Sequence, residues 1–147
     1  MRIGGIELIQ SRIRAVVGKC GLDGHSRGAR FVANVLKNVG LEVIYIGEFQ
    51  TVENVVQIAE EEDVELIALS YLSGEYKTYI PQIIDLLKDK ITNREIALIV
   101  GGLIPETDQQ WLKEIGVKEV FNQETKSEDI LKFIEKEYGT SCTNNLA

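Results

Sequence analysis

Three observations predict an α/β fold built on a parallel sheet. Short apolar runs alternate with amphipathic stretches, the alternation recurs in five units, and the runs are almost free of polar residues. Strands that are apolar on both faces suit a sheet covered by helices on both sides.

The first strand is expected over Ile13–Val17. A helix follows over Ala29–Val39, with Phe31, Val32, Val35, Leu36 and Val39 on one face and Gly40 as its C-terminal cap. Leu41–Ile46 reads as the second strand, then a helix from Val52 to about Glu62 with Thr51 as N-cap and Val55, Val56 and Ala59 turned inward. Leu66–Leu69 is the third strand. The helix after it, from about Thr78 to Lys88, carries Ile80, Ile83, Ile84 and Leu87 at helical spacing, with Pro81 tolerated only in the first turn. Ile96–Val100 is the fourth strand, and Gly101-Gly102 opens a loop. Pro105 starts a helix bearing Trp111, Leu112 and Ile115, which Gly116 closes. Glu119–Phe121 is a short fifth strand, and Ser127 caps a last helix to about Tyr138. Residues 1–12 fit none of the five units and read as an arm, with Ile3, Ile6, Leu8 and Ile9 available to pack on a partner. Residues 13–139 form one domain, and 140–147 a frayed tail.

Right-handed crossovers with five strands favour the order 2-1-3-4-5 of a flavodoxin-like, Rossmann-like sheet, in which ligands bind at the carboxyl ends of the neighbouring first and third strands. The unusual residues fall there. Lys19-Cys20-Gly21-Leu22-Asp23-Gly24-His25-Ser26-Arg27-Gly28 follows the first strand, Ser70-Tyr71-Leu72 the third, and Gly101-Gly102 the fourth.

Composition narrows the function. A chain of 147 residues holds about one domain and one site. With 16 basic and 23 acidic residues the formal charge is −7, which opposes a phosphate backbone, so no nucleic-acid partner is expected. No apolar run approaches the roughly 20 residues of a membrane span, and Arg2–Ile9 lacks the features of a signal peptide. A cytoplasmic protein with reduced thiols is the expectation, since Cys20 and Cys142 lie far apart. Lys19 is expected to lower the pKa of Cys20. A catalytic thiol is nonetheless disfavoured, because no second histidine is present to act as its base.

The loop chemistry excludes several occupants of such a fold. A phosphoryl-accepting receiver would need an Asp where the third strand ends in Ser70. A flavin mononucleotide site would want a loop richer in hydroxyls, and the glycines miss the dinucleotide spacing. Zinc needs three or four ligands, whereas His25 is the only histidine. One strong ligand suffices for a metal carried in a macrocycle, haem or a corrin, where the protein fills only an axial position. Asp23, two residues before His25, can fix the imidazole tautomer.

Asp23-x-His25-x-x-Gly28, Ser70-x-Leu72 and Gly101-Gly102 together resemble the signature of the cobalamin-binding domain of adenosylcobalamin-dependent acyl-CoA mutases. Lys19–Arg30, Phe49-Gln50-Thr51 and Lys77-Thr78 are similar to the methylmalonyl-CoA mutase domain, and Ser70-Tyr71-Leu72-Ser73-Gly74 to the small subunit of 2-hydroxyisobutyryl-CoA mutase. The resemblance spans Arg12 to Tyr138. It implies base-off, His-on cobalamin with His25 on cobalt, Asp23 on the distal ring nitrogen and Lys19 extending that relay. The nucleotide tail would enter a crevice between the first and third strands, with Gly24, Ser26, Arg27 and Leu72 around it, room from Gly28, Gly101 and Gly102, and a hydrogen bond from Ser70. It also implies a large TIM-barrel subunit that binds acyl-CoA, where homolysis of the cobalt–carbon bond starts a radical rearrangement, so that this chain alone turns nothing over. Asn122-Gln123-Glu124-Thr125 departs from the family's Gly-Pro-Gly-Thr-like segment. A corrinoid carrier for methyl transfer and a cobalamin-sensing or chaperoning module are the other readings, although such carriers usually have a helical cap before the first strand.

Overall fold

The computed structural model describes residues 13–22 and 24–139, together with the backbone of two short antiparallel strands, Arg2–Ile3 and Ile6–Glu7. Asp23, the rest of the expected arm and the tail with Cys142 lie outside the described residues. Strands β1 (Arg14–Cys20), β2 (Glu42–Gln50), β3 (Leu66–Tyr71), β4 (Ala97–Gly102) and β5 (Glu119–Phe121) form a parallel sheet in the order β2-β1-β3-β4-β5, the order expected from the crossovers. Helices α1 (Arg27–Asn38), α2 (Val52–Glu61), α3 (Tyr76–Lys90), α4 (Glu106–Ile115) and α5 (Ser127–Tyr138) connect and cover it.

Successive strand residues point to opposite faces, and each face has its own core. Val16, Ile67, Leu69, Leu98 and Val100 pack with Val55, Val56, Ile80, Ile83 and Leu112 from α2, α3 and α4. Ala15, Val17, Leu66, Ala68 and Ile99 pack with Ala29, Leu36, Ile130 and Ile134 from α1 and α5. The smaller strand residues on this second face let α1 lie close to the sheet, directly beside the candidate site. At the opposite end of the sheet, Arg14 is hydrogen-bonded through its backbone N–H to Glu65 (2.7 Å) and through its guanidinium to Glu62 (2.8 Å).

Several boundaries differ from expectation. β1 does not end at Val17, and β2 does not end at Ile46. Register shifts around Gly18 let pairing continue through Gly18 with Gly47 and Cys20 with Gln50. A side chain on Gly18 would meet Ile46 Cγ1 at 2.5 Å, so this irregular pairing needs glycine. Gly101 and Gly102 belong to β4 rather than to a loop, paired with Ser70 and Tyr71. Gly102 has φ +138°, and a Cβ there would fall 1.6 Å from the Tyr71 carbonyl oxygen.

The helix ends also move. α1 starts at Arg27 and α3 at Tyr76, which places Pro81 in the second turn of α3 instead of the first. The proline removes one hydrogen bond to the Lys77 carbonyl, and Lys77 lies on the exposed side of the helix, where water can satisfy that oxygen. Pro105 precedes α4 as its cap residue. Ser127 is the first residue of α5, not its cap; Lys126 holds that position and donates its backbone N–H to the Asp129 carboxylate at 2.9 Å. Thr51 does cap α2, accepting the Asn54 N–H at 3.0 Å.

α3 and α4 are tied by the buried Tyr76, whose hydroxyl donates to Asp108 at 2.5 Å, with Lys77 3.4 Å from the same carboxylate. The hydroxyl, and after it Lys77, holds Asp108 below the usual carboxylate range, which stabilises the fold above the unfolded carboxylate pKa of about 3.9. That stabilisation is lost as pH falls through the lowered folded value. Tyr76→Phe is therefore expected to reduce the denaturant midpoint near neutral pH, with the gap to wild type closing below about pH 4. A gap unchanged in stronger acid would contradict this linkage. Gly102→Ala should destabilise by at least about 2 kcal/mol, read from the same denaturant titration, because it adds both a clash and a left-handed residue.

Candidate functional site

The segment from Gly21 to Ser26 joins β1 to α1 at the carboxyl end of the sheet, and His25 on it is exposed. Its backbone is held at several points. Gly21 has φ +108° and donates its N–H to the Gln50 carbonyl at 3.0 Å. Phe49, at φ 62°, lies over Gly24, where a Cβ would be 3.1 Å from its ring. Ser26 accepts from Arg30 Nε at 3.2 Å, and its hydrogen bond to Glu48 holds that carboxyl below the ordinary carboxylate range. The far end of β2 thus curls over the loop, a role that its sequence, Gly47-Glu48-Phe49-Gln50, did not signal.

Beside His25 opens a crevice of about 630 Å³, within the roughly 300–1,000 Å³ of small-molecule sites. Arg27, Gly28, Phe31 and Val32 of α1 form one wall, and Ser70, Tyr71, Leu72 and Gly102 at the ends of β3 and β4 form another. Phe121, Asn122, Gln123 and Thr125 close the third side. A narrower recess beneath is lined by Val17, Ala29, Ser70 and Gly101, among others. The crevice was expected between the first and third strands. The loop and helix that follow β1 and the end of β3 do border it, and it extends past Gly102 of β4 to the turn after β5.

The glycines do different things. A Cβ on Gly28 would lie 2.8 Å from Ser70 Oγ and 3.9 Å from Ser70 Cβ, so a methyl group there would take the space that the Ser70 hydroxyl now faces. A Cβ on Gly101 would be 3.7 Å from the Phe121 carbonyl oxygen, an ordinary contact. Gly101 is therefore permissive, whereas Gly102 is required by the backbone of its neighbour.

Lys19 was expected in the loop. It is in β1 with 1% exposure, and its ammonium donates to the Ser70 carbonyl at 3.0 Å, fastening β1 to β3 just below the crevice. Any link from it to Asp23 falls on a residue outside the described ones. Cys20 is a free, fully buried thiol, and burial pushes its pKa up to about 11, opposite to the lowering expected from Lys19. It is protonated at neutral pH and is no nucleophile.

Of the residues singled out from sequence, His25, Arg27, Gly28, Ser70, Leu72 and Gly102 border the crevice. Gly24 and Ser26 shape the loop, and Lys19 and Gly101 lie underneath. Phe31, Val32, Phe121 and Ile130 were missed as lining residues, while Tyr71 and the loop residues Asn122, Gln123 and Thr125, named from sequence without an assigned contact, also line it. Helical periodicity placed Phe31 and Val32 on the inward face of α1 without separating core from crevice. The turn after β5 is ordered by its own bonds, Asn122 N–H to Thr125 Oγ1 and Glu124 N–H to Asn122 Oδ1, both 2.9 Å. Among the described residues no three His, Cys, Asp or Glu side chains gather as a metal cage. No helix among them is long and apolar enough to cross a membrane.

Around the same end of the sheet, Leu22, Phe49 and Leu103 are 79%, 63% and 49% exposed. A further hollow of about 680 Å³ runs between α1 and the edge strand β2, bordered by Arg30, Lys37, Glu42 and Tyr45. It contains none of the residues expected from sequence to bind the cofactor.

Comparison with known proteins agrees with this fold. The 2-hydroxyisobutanoyl-CoA mutase small subunit of Aquincola tertiaricarbonis is 39% identical over 125 residues, 85% of this chain and 91% of that protein. A methylmalonyl-CoA mutase from Cereibacter sphaeroides is 38% identical over 84% of this chain, which spans 17% of that longer protein. The crystal structure of a cobalamin-binding protein from Desulfitobacterium hafniense superposes with a TM-score of 0.73 at 21% identity, covering 86% of this chain and 59% of the other, and so shares the fold. The B12 binding domain model matches residues 13–137, and the chain belongs to that family.

Proposed function

We propose that this chain is the cobalamin-binding subunit of an adenosylcobalamin-dependent acyl-CoA mutase. It would act in the cytoplasm beside a large TIM-barrel subunit that holds the acyl-CoA. The observation that carries this reading is the crevice opened where Gly28 passes over Ser70, with the chain's only histidine at its mouth. The cofactor, when bound, supplies a weak cobalt–carbon bond from which radical rearrangement of the substrate begins. This chain's share is to bind and to orient.

His25 would give one ring nitrogen to cobalt in the base-off, His-on mode. Asp23 would accept the proton of the other nitrogen and Lys19 would stand behind it, so that a carboxylate and an ammonium set the electron density the imidazole offers. Ser70 would offer the displaced nucleotide tail a hydrogen bond. Gly28, Gly101 and Gly102 would leave it room, and Gly24, Ser26, Arg27 and Leu72 would border its entry. The amide side chains of Asn122 and Gln123 add donors and acceptors, so the turn that departs from the family pattern still presents polar groups to the tail.

The apolar rim supports a covered face. Leu22, Phe49 and Leu103 are exposed on loops around the crevice, where a corrin and a partner subunit would remove them from water. Residues 13–139 would then be the cofactor domain, and 1–12 an arm available to the partner. The relatives are named for different acyl groups, 2-hydroxyisobutanoyl and methylmalonyl, and the acyl specificity belongs to the large subunit.

Because His25 is the only histidine, nitrogen-15 histidine labels a single site. Protein purified without a histidine tag and mixed with cob(II)alamin is expected to give an electron paramagnetic resonance spectrum whose axial nitrogen coupling changes with that label. A coupling indifferent to the label refutes the axial assignment. His25→Ala should abolish the coupling and weaken binding. Gly28→Ala should keep the fold, since the Ser70 hydroxyl can rotate away, while its methyl group narrows the crevice and weakens cobalamin binding by about tenfold or more, or about 1.4 kcal/mol. Wild-type affinity in that variant would place the tail elsewhere.

A further inference from the structure

We infer that Glu75 is a positioning residue for the loop that presents His25, an inference that rests on the proposed axial role of that histidine. Glu75 immediately precedes α3, on the far side of the sheet from α1. Its two carboxylate oxygens lie 3.1 and 3.3 Å from the backbone nitrogen of Leu22, which donates to them. The next residue back, Gly21, is packed on the same support. A Cβ there would fall 2.7 Å from Glu75 Oε2 and 2.6 Å from the Tyr79 ring.

Glu75 is well placed to hold something still. Its carbonyl accepts the N–H groups of Thr78 and Tyr79 at 3.0 and 3.1 Å, so its backbone is part of the first turn of α3. The carboxylate also sits at the positive end of that helix. The loop, by contrast, has little side-chain burial of its own at this point, since Leu22 is 79% exposed. Gln50 on one side and Glu75 on the other fix the two residues that start the approach to His25. A charge-assisted bond from a rigid helix end to a loop amide lowers the ordering that binding would otherwise require.

Three variants separate this role from alternatives. Glu75→Ala removes the acceptor. Glu75→Asp keeps the charge at the helix end but is one methylene too short to reach Leu22. Glu75→Gln keeps the length and one acceptor oxygen. In titrations with cob(II)alamin, the alanine and aspartate variants are expected to bind about tenfold more weakly, at the lower end of what supporting groups contribute to a metal site, with glutamine recovering most of the loss. Amide hydrogen exchange at Leu22 should quicken in the first two and stay near wild type in the third. Thermal midpoints should not follow the same ranking, and the aspartate variant keeps the test open should alanine fail to fold. Wild-type affinity in Glu75→Asp, or affinity losses that track thermal stability across the series, would overturn the inference. If labelled histidine leaves the wild-type spectrum unchanged, the axial reading fails. The exchange at Leu22 still reports separately whether Glu75 holds the loop.

Discussion

Gly28 and Ser70 approach so closely that a single methyl group on the glycine would lie 2.8 Å from the serine hydroxyl oxygen. The site depends on that approach. β1 and β3 are neighbours in the sheet, and the helix leaving β1 must cross the end of β3 to reach its own packing face. A methyl group at the crossing would turn the Ser70 hydroxyl aside and take up the space beside it. Ala29 and Ala33, small and buried, continue the same close approach along the helix. One stripe of small residues on α1 therefore seats the helix and leaves the crevice open.

Below this crossing Lys19 applies a second constraint. A buried ammonium is costly unless hydrogen-bonded, and here it donates to the carbonyl of the residue whose hydroxyl faces the crevice. An apolar residue would pack there at less cost but would leave the Ser70 carbonyl without that donor. Cys20, next in the chain, points to the opposite core beside Tyr71, where burial keeps its thiol protonated. Alternation along one strand thus assigns adjacent polar residues to different surroundings: Lys19 supports the site, and Cys20 fills a core.

The five-unit pattern, the strand order and the loop residues were legible because each rests on local signals, namely period, caps and glycines. What was not legible depends on a partner strand. The strands were read as ending at Val17 and Ile46, and it is the pairing of the next residues, Gly18 with Gly47, that makes an irregularity both strands cross. The same is true of Gly101 and Gly102, which β3 draws into the sheet. Pro81 was read from its distance to the expected start of α3, and the earlier start moved it by a fraction of a turn. Lining residues such as Asn122 and Gln123 carry no periodic signal, and their place follows from where β5 ends against β4.

The exposed apolar rim and the braced loop answer one physical problem. Under the proposed function a ligand with a metal at its centre and a broad face around it is met by a histidine exposed on its loop, and a loop so exposed gains little order from burying its own side chains. The structure holds it from outside instead, with Gln50 and Glu75 gripping its backbone and Phe49 lying over Gly24. Leu22 and Phe49 are left facing water as a consequence. In an isolated chain that surface is an association liability. Under the proposed function it is the area that binding covers, so the bracing that orders the loop before binding also leaves its apolar surface available to be buried by it.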